Sequence, residues 1–244
     1  MNNATTKFNK WRQQLSRPAR ELLHVLYPNF CMICDTETPH SASAICPVCE
    51  SGLQYTLFED YTEPTALDQL FWGRVLLERT YALLYFEKTN DTQAILHALK
   101  YRDRPDVATY FGELTGERIR DHQHFSDLEA LIPVPLHPKK EFLRGYNQSE
   151  RIAAGISEKT GIPVNTELLK RVRFAESQTK KAKGTRWENI QDGFRPVKTL
   201  RKFRHVALVD DVVTTGSTVE TCVRLLQESL PECKVSVISL AVTR

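Results

Sequence analysis

The sequence predicts an α/β fold: a parallel sheet flanked by helices, behind an N-terminal helix and a small four-cysteine module. Three observations carry this expectation. Strand-like and helix-like patterns alternate through the C-terminal half, the order that parallel strands and their crossover helices require. Two Cys-x2-Cys doublets sit near the N-terminus at Cys31, Cys34, Cys46 and Cys49. An apolar run at Val206–Val209 ends in two carboxylates and a hydroxyl-rich loop that opens into a helical pattern.

Each element follows from spacing. From Lys10 to Tyr27, Trp11, Leu15, Ala19, Leu22, Leu23 and Leu26 mark a helical stripe that Pro18 can interrupt. Residues 55–72 are mixed, and the boundary between the units is placed loosely between 55 and 78. That gives an N-terminal unit over 1–55 and a larger one over 78–244. Thr80–Phe86 is aromatic and continuous, as in a buried strand. A helix through Ile95, Leu96 and Leu99 follows, then a second that starts after Pro105, a residue suited to the first helical position. Leu131–Val134 predicts a short strand ending in a Pro-rich loop, Gln148–Ser157 a helix, and Leu168–Val172 a short strand. Ser217–Leu230 has helical spacing, and Lys234–Val242 completes the pattern as a strand.

Composition bounds the function. Of 244 residues, 41% are hydrophobic and 26% charged, which suits a globular core, and a net charge of +3 excludes a general polycation. Any affinity for phosphate or nucleic acid must then come from local clusters of charge. The polar N-terminus has no apolar signal core, and no run of about 18 apolar residues could span a membrane. Cysteine doublets without an export signal point to a reducing compartment, so the expected location is cytoplasmic.

Eleven residues separate the doublets. Each doublet places two thiolates on one turn, and two facing turns give a closed tetrahedral four-sulfur site. Zinc fits such a set as a structural ion, and an iron–sulfur cluster is the alternative with the same ligands. His40 fits neither doublet, while Cys222 and Cys233 read as ordinary buried thiols.

The stretch from Val206 to Thr218 has a chemical use for each part. A loop at a helix N-terminus presents unpaired N–H groups and a favourable dipole to an anion. Gly216 allows close approach, and Thr214, Thr215, Ser217 and Thr218 add hydroxyl donors. Asp210 and Asp211 can accept hydrogen bonds from a vicinal diol. Adjacent strand residues face opposite ways, so both acids are expected to reach one sugar only where the strand already turns. A capped helix after an ordinary strand is the bland account of the same residues.

The whole string is similar to the phosphoribosyl-diphosphate (PRPP) signature of type I phosphoribosyltransferases. The resemblance widens to the ComF/GntX family through His97–Tyr101, Leu131–Leu136, Arg144-Gly145-Tyr146-Asn147-Gln148, Gln178-Thr179, Arg186, Asn189 and the four cysteines. It covers nearly the whole chain from about Leu26. It implies a type I phosphoribosyltransferase-like sheet and a role in natural competence, the uptake or use of external DNA, beside a helicase-like partner. By the same resemblance Asp210 and Asp211 would hold the ribose hydroxyls and Thr214–Thr218 the 5′-phosphate. The loop Val134-Pro135-Leu136 would take the place of the pyrophosphate loop, and Mg2+ is implied with PRPP.

A basic stretch includes Lys170, Arg171, Arg173, Lys180, Lys181, Lys183 and Arg186. After Gln178-Thr179 it is richer in lysine than the family pattern. Such a loop can close over pyrophosphate, track single-stranded DNA with Phe174, Trp187 or Phe194 as stacking surfaces, or remain a solvated face. Lys198, Arg201, Lys202 and Arg204 read as a solvated linker, and His97 is given no role. His137, Lys139 and Lys140 are placed on the loop after Leu136, as pyrophosphate aids or as exposed residues. Three readings stand at this point: phosphoribosyl transfer to an acceptor, a non-catalytic single-stranded DNA-binding component of transformation, and a PRPP-sensing regulator.

Overall fold

A computed structural model describes residues 29–38, 44–87, 91–171, 193–197 and 202–244. The expected helix over 10–27 lies outside these residues. The chain opens with a two-residue antiparallel pair, β1 (Asn29–Phe30) and β2 (Glu37–Thr38). Helix α1 (Pro47–Ser51) follows with proline in its first turn, where no amide hydrogen is missed. Helix α2 (Ala66–Leu70) begins in a capping box: Thr65 Oγ1 accepts from the Asp68 amide, and the Asp68 carboxylate accepts from the Thr65 amide. The same carboxylate accepts from the amide and hydroxyl of Thr80 at 2.8 and 2.9 Å, which ties α2 to the first long strand.

That strand, β3 (Thr80–Phe86), leads through α3 (Asp91–Tyr101) and α4 (Pro105–Ile119) to β4 (Ala130–Pro133). Helices α5 (Pro138–Arg144) and α6 (Gln148–Thr160) come next, then β5 (Leu169–Arg171) and β6 (Phe194–Pro196). The last unit is β7 (His205–Val213), α7 (Ser217–Ser229) and β8 (Lys234–Thr243).

Four strands form one parallel sheet in the order β3-β8-β7-β4. Strand β8 is buried from Val235 to Val242, and β7 from His205 to Asp210. Continuous apolar strands of this kind need cover on both faces, which helices α6 and α7 help to supply where they pack against β7. The buried side chains form one cluster running from Cys31 to Val242. Segment 56–77, which lies between the two expected units, contributes Phe58, Leu67 and Phe71 to it.

Two elements differ from what the sequence predicts. The strand predicted at Leu168–Val172 does not join the parallel sheet. Its residues Leu169–Arg171 pair antiparallel with Phe194–Pro196, because Leu169 alone of the three is buried and one apolar side chain gives no face to a central strand. The stretch after the Pro-rich loop is a helix, α5. His137 caps it by accepting from the Lys139 amide at 3.1 Å, Pro138 starts it, and Gly145 ends it with φ +78°.

Helices α4 and α6 cross at glycines. A Cβ on Gly155 would lie 2.2 Å from the Thr109 carbonyl oxygen, and one on Gly112 2.3 Å from that of Ile152. The expected cost of Gly155→Val is therefore about 3 kcal/mol of unfolding free energy or more, since neither backbone can retreat from a packed crossing. Gly161→Ala, at φ +74° but with no atom within 4 Å of its Cβ, should cost only about 1 kcal/mol. Denaturant titration checks both; equal stability of Gly155→Val and wild type would contradict this packing.

Candidate functional site

Strand β4 pairs with β7 only as far as Pro133↔Val209, while β7 runs on to Val213. Beyond Val209 the chain of β4 departs, its Val134 amide donating to the Val209 carbonyl at 2.9 Å. A cleft of about 190 Å³ opens there, lined in part by Lys100, Val134, Pro135, Leu136, Lys140 and Arg144. Asn147, Gln148, Ser149, Arg171, Asp210, Asp211, Val212 and Thr218 complete it. This is the crevice beyond the carboxyl ends of parallel strands, where open α/β sheets bind ligands.

Both acids line this cleft, at a point where β7 is still extended and β4 no longer pairs with it. Asp211 is paired to Lys100, Nζ to Oδ2 at 3.0 Å. Asp210 is buried and accepts on Oδ1 from Ser149 Oγ at 3.2 Å and from the Asp211 amide at 2.9 Å. Burial, and then the neighbouring Asp211 charge, pushes the Asp210 carboxyl up to about 7.

The segment Arg144–Gln148 assembles the wall. Asn147 caps α6 through its side-chain oxygen, which accepts from the Ser149 amide, and its Nδ2 donates to the Val134 carbonyl at 3.1 Å. Tyr146 Oη and Gln148 Nε2 both donate to the Leu99 carbonyl, at 2.8 and 2.9 Å. The end of α3 is thereby fixed against the start of α6.

Of the residues expected to form the site, Asp210, Asp211, Thr218, Val134, Pro135 and Leu136 meet around the cleft. Thr214, Thr215, Gly216 and Ser217 lie beside it as the loop that starts α7. Gly216 takes φ +74° at the helix start, where no side chain caps the first turn. A Cβ on Gly216 would sit 2.8 Å from the Phe71 ring, and Arg74 Nη1 donates to the Thr215 carbonyl at 2.9 Å. Segment 56–77 thus supports the loop from behind. Lys180, Lys181, Lys183 and Arg186 lie outside the described residues, as do Gln178, Thr179, Phe174, Trp187, Asn189, Lys198 and Arg201. Arg204 is tied to Glu129, Nε to Oε1 at 2.8 Å, and Lys140 but not Lys139 reaches the cleft.

Sequence reasoning assigned no role to Lys100, Arg144, Asn147, Gln148 or Ser149. The first four lay in segments that carried the family resemblance, and only the fold brings those segments together.

Apart from the cleft, the Sγ atoms of Cys31, Cys34, Cys46 and Cys49 all lie within 4.8 Å of one another. The four thiols can hold a metal ion. Tetrahedral sulfur at the usual zinc distance gives sulfur–sulfur separations of about 3.8 Å, and Cys34 and Cys46 stand 3.7 Å apart. Hydrogen bonding with Thr36 draws the Cys34 thiol down to about 6, while burial raises that of Cys49. Cys222 and Cys233 are buried, as expected. No helix among the described residues is long and apolar enough to cross a membrane.

Comparison with known proteins places this geometry. A family model described as the phosphoribosyl transferase domain matches residues 143–243, from the end of α5 to the end of β8. Competence protein F of Haemophilus influenzae is 26% identical over 84% of this chain and 87% of its own length. DNA utilization protein YhgH of Salmonella typhimurium is 27% identical over 82% of this chain and 91% of its own. Competence protein ComFC of Bacillus subtilis is 24% identical over 91% and 81%. A solved adenine phosphoribosyltransferase from Leishmania tarentolae overlays with a TM-score of 0.35 at 17% identity, covering 73% of this chain and 88% of that one. The chain is thus ComF-like over most of its length, with a phosphoribosyltransferase-type domain matched over residues 143–243.

Proposed function

We propose that this protein binds PRPP or a related ribose phosphate in the cleft beyond β4 and β7, in a process linked to competence and the use of external DNA. The observation that carries the reading is the pairing of two carboxylates with an uncapped helix N-terminus at the end of one strand. Asp210 and Asp211 accept from the ribose hydroxyls. The amides and hydroxyls of Thr214, Thr215, Gly216, Ser217 and Thr218 receive the 5′-phosphate, helped by the α7 dipole. The Val134-Pro135-Leu136 turn, with Lys140 and Arg144 beside it, faces the diphosphate. The relatives' names, and the family resemblance, support the link to external DNA, and the paired free cysteines support a reducing, cytoplasmic place of action. Single-stranded DNA and a helicase-like protein are the partners proposed on that resemblance.

In the cysteine cluster we propose zinc, because four thiols at these separations suit a structural ion with no open position. Mg2+ is a different matter. Asp211 is already neutralised by Lys100, and Asp210 is buried with both its contacts on Oδ1. The acid pair therefore does not fit a carboxylate-bound divalent ion.

Calorimetric titration of PRPP into wild type and into the Asp210→Asn, Asp211→Asn double variant tests the site. Saturable binding by wild type and a loss of at least about tenfold in a still-folded variant is expected, since two hydrogen-bonding carboxylates are removed. A folded wild type that binds no PRPP would overturn the reading.

Elemental analysis should find one zinc per chain. Cys31→Ser should lose the metal and lower the melting temperature by several degrees, as expected where metal binding is coupled to folding. A metal-free preparation of equal stability would contradict the zinc assignment.

A further inference from the structure

Lys100 lines the cleft from outside both the acid pair and the phosphate loop. It stands in the last turn of α3, and its side chain is about three-quarters buried, at 24% exposure, against an Asp211 side chain at 14%. Its place is built. The carbonyl of Leu99, one residue before it, accepts two hydrogen bonds from Tyr146 and Gln148 on the far side of the cleft wall. Gln148 in turn accepts from Arg144 Nη1 at 3.1 Å. A flexible surface lysine needs no such clamp; an ammonium that must stay at one carboxylate does.

The charges around it explain the need. Two adjacent carboxylates with little water would repel each other and any phosphate brought to them. A divalent ion is one way to neutralise them. Here Lys100 holds Asp211 at 3.0 Å, and Lys140, Arg144 and Arg171 line the same cleft. Arg171 Nε is buried and has no acceptor among the described residues. Four basic side chains against two acids give the cleft a cationic excess of its own.

We propose that Lys100 is the resident cation of this site, holding the charge-balancing place beside the acid pair so that a ribose phosphate binds without divalent metal. The inference rests on the ribose-phosphate reading above and narrows it. When ligand enters, the ammonium keeps Asp211 neutralised while the sugar hydroxyls bond to the carboxylate oxygens. The diphosphate then meets the basic side chains directly.

The test is PRPP binding, measured by calorimetry in buffer freed of magnesium without a chelator that reaches the protein, and again with magnesium, for wild type, Lys100→Ala, Lys100→Met and Lys100→Arg. Wild-type affinity should differ by less than about threefold between the two conditions. Lys100→Ala should bind at least about tenfold more weakly without magnesium, with magnesium restoring part of the loss, because a largely buried carboxylate is left without its partner. Lys100→Met keeps the length of the side chain and should behave like Lys100→Ala if both are folded. Lys100→Arg should stay independent of magnesium. Wild-type binding that disappears without magnesium would overturn the proposal while leaving the ribose-phosphate site intact, as would neutral variants that bind without magnesium like wild type. Absence of wild-type binding in both conditions would instead remove the ribose-phosphate reading, and this inference with it.

Discussion

A carboxylate pair at the end of a buried strand sets the terms for everything around it. Strand β7 carries Asp210 and Asp211 four residues or fewer from its last residue, past the point where β4 stops pairing with it. Charges placed there lose water on one side and gain no ladder partner from β4 on the other. They persist only if neighbouring elements supply compensation. Helix α6 supplies Ser149 to Asp210, and α3 supplies Lys100 to Asp211. The two helices are in turn held together by the Leu99 carbonyl, which receives Tyr146 and Gln148. The cleft is the space this arrangement leaves between them.

The loop over residues 214–218 obeys a different constraint. Its glycine must adopt a positive φ, and the space where a side chain would go is filled by Phe71. Arg74 holds the Thr215 carbonyl and also pairs with Glu220 on α7, Nη2 to Oε2 at 2.6 Å. The loop's shape is therefore dictated from outside the α/β unit, by the segment that joins it to the cysteine cluster.

Much of this was legible in the residues. Thr80–Phe86, Pro105 as a helix start, and the Val206–Val209 run predicted elements that the structure contains. The doublets predicted the thiol cluster, since two knuckles on tight turns have few other ways to pack. Leu169–Arg171 lies in a two-stranded ribbon rather than the parallel sheet, and three residues carry no period that separates the two. Helix α5 reads as loop in the sequence although Pro138 and Gly145 mark both its ends, because Phe142 and Leu143 are exposed and no apolar stripe announces it. The role of Lys100 was hidden for a deeper reason. It lies 111 positions before Asp211, and no local pattern encodes a contact made by tertiary packing.

The central claim is that this acid pair and the α7 N-terminus form one ribose-phosphate site. A crystal structure of the full chain soaked with ribose 5-phosphate addresses it most directly. The account predicts the phosphate within hydrogen-bond distance of amides in the 214–218 loop and the ribose hydroxyls on Asp210 and Asp211. Ribose phosphate seated elsewhere, with the loop and both acids untouched, would contradict it.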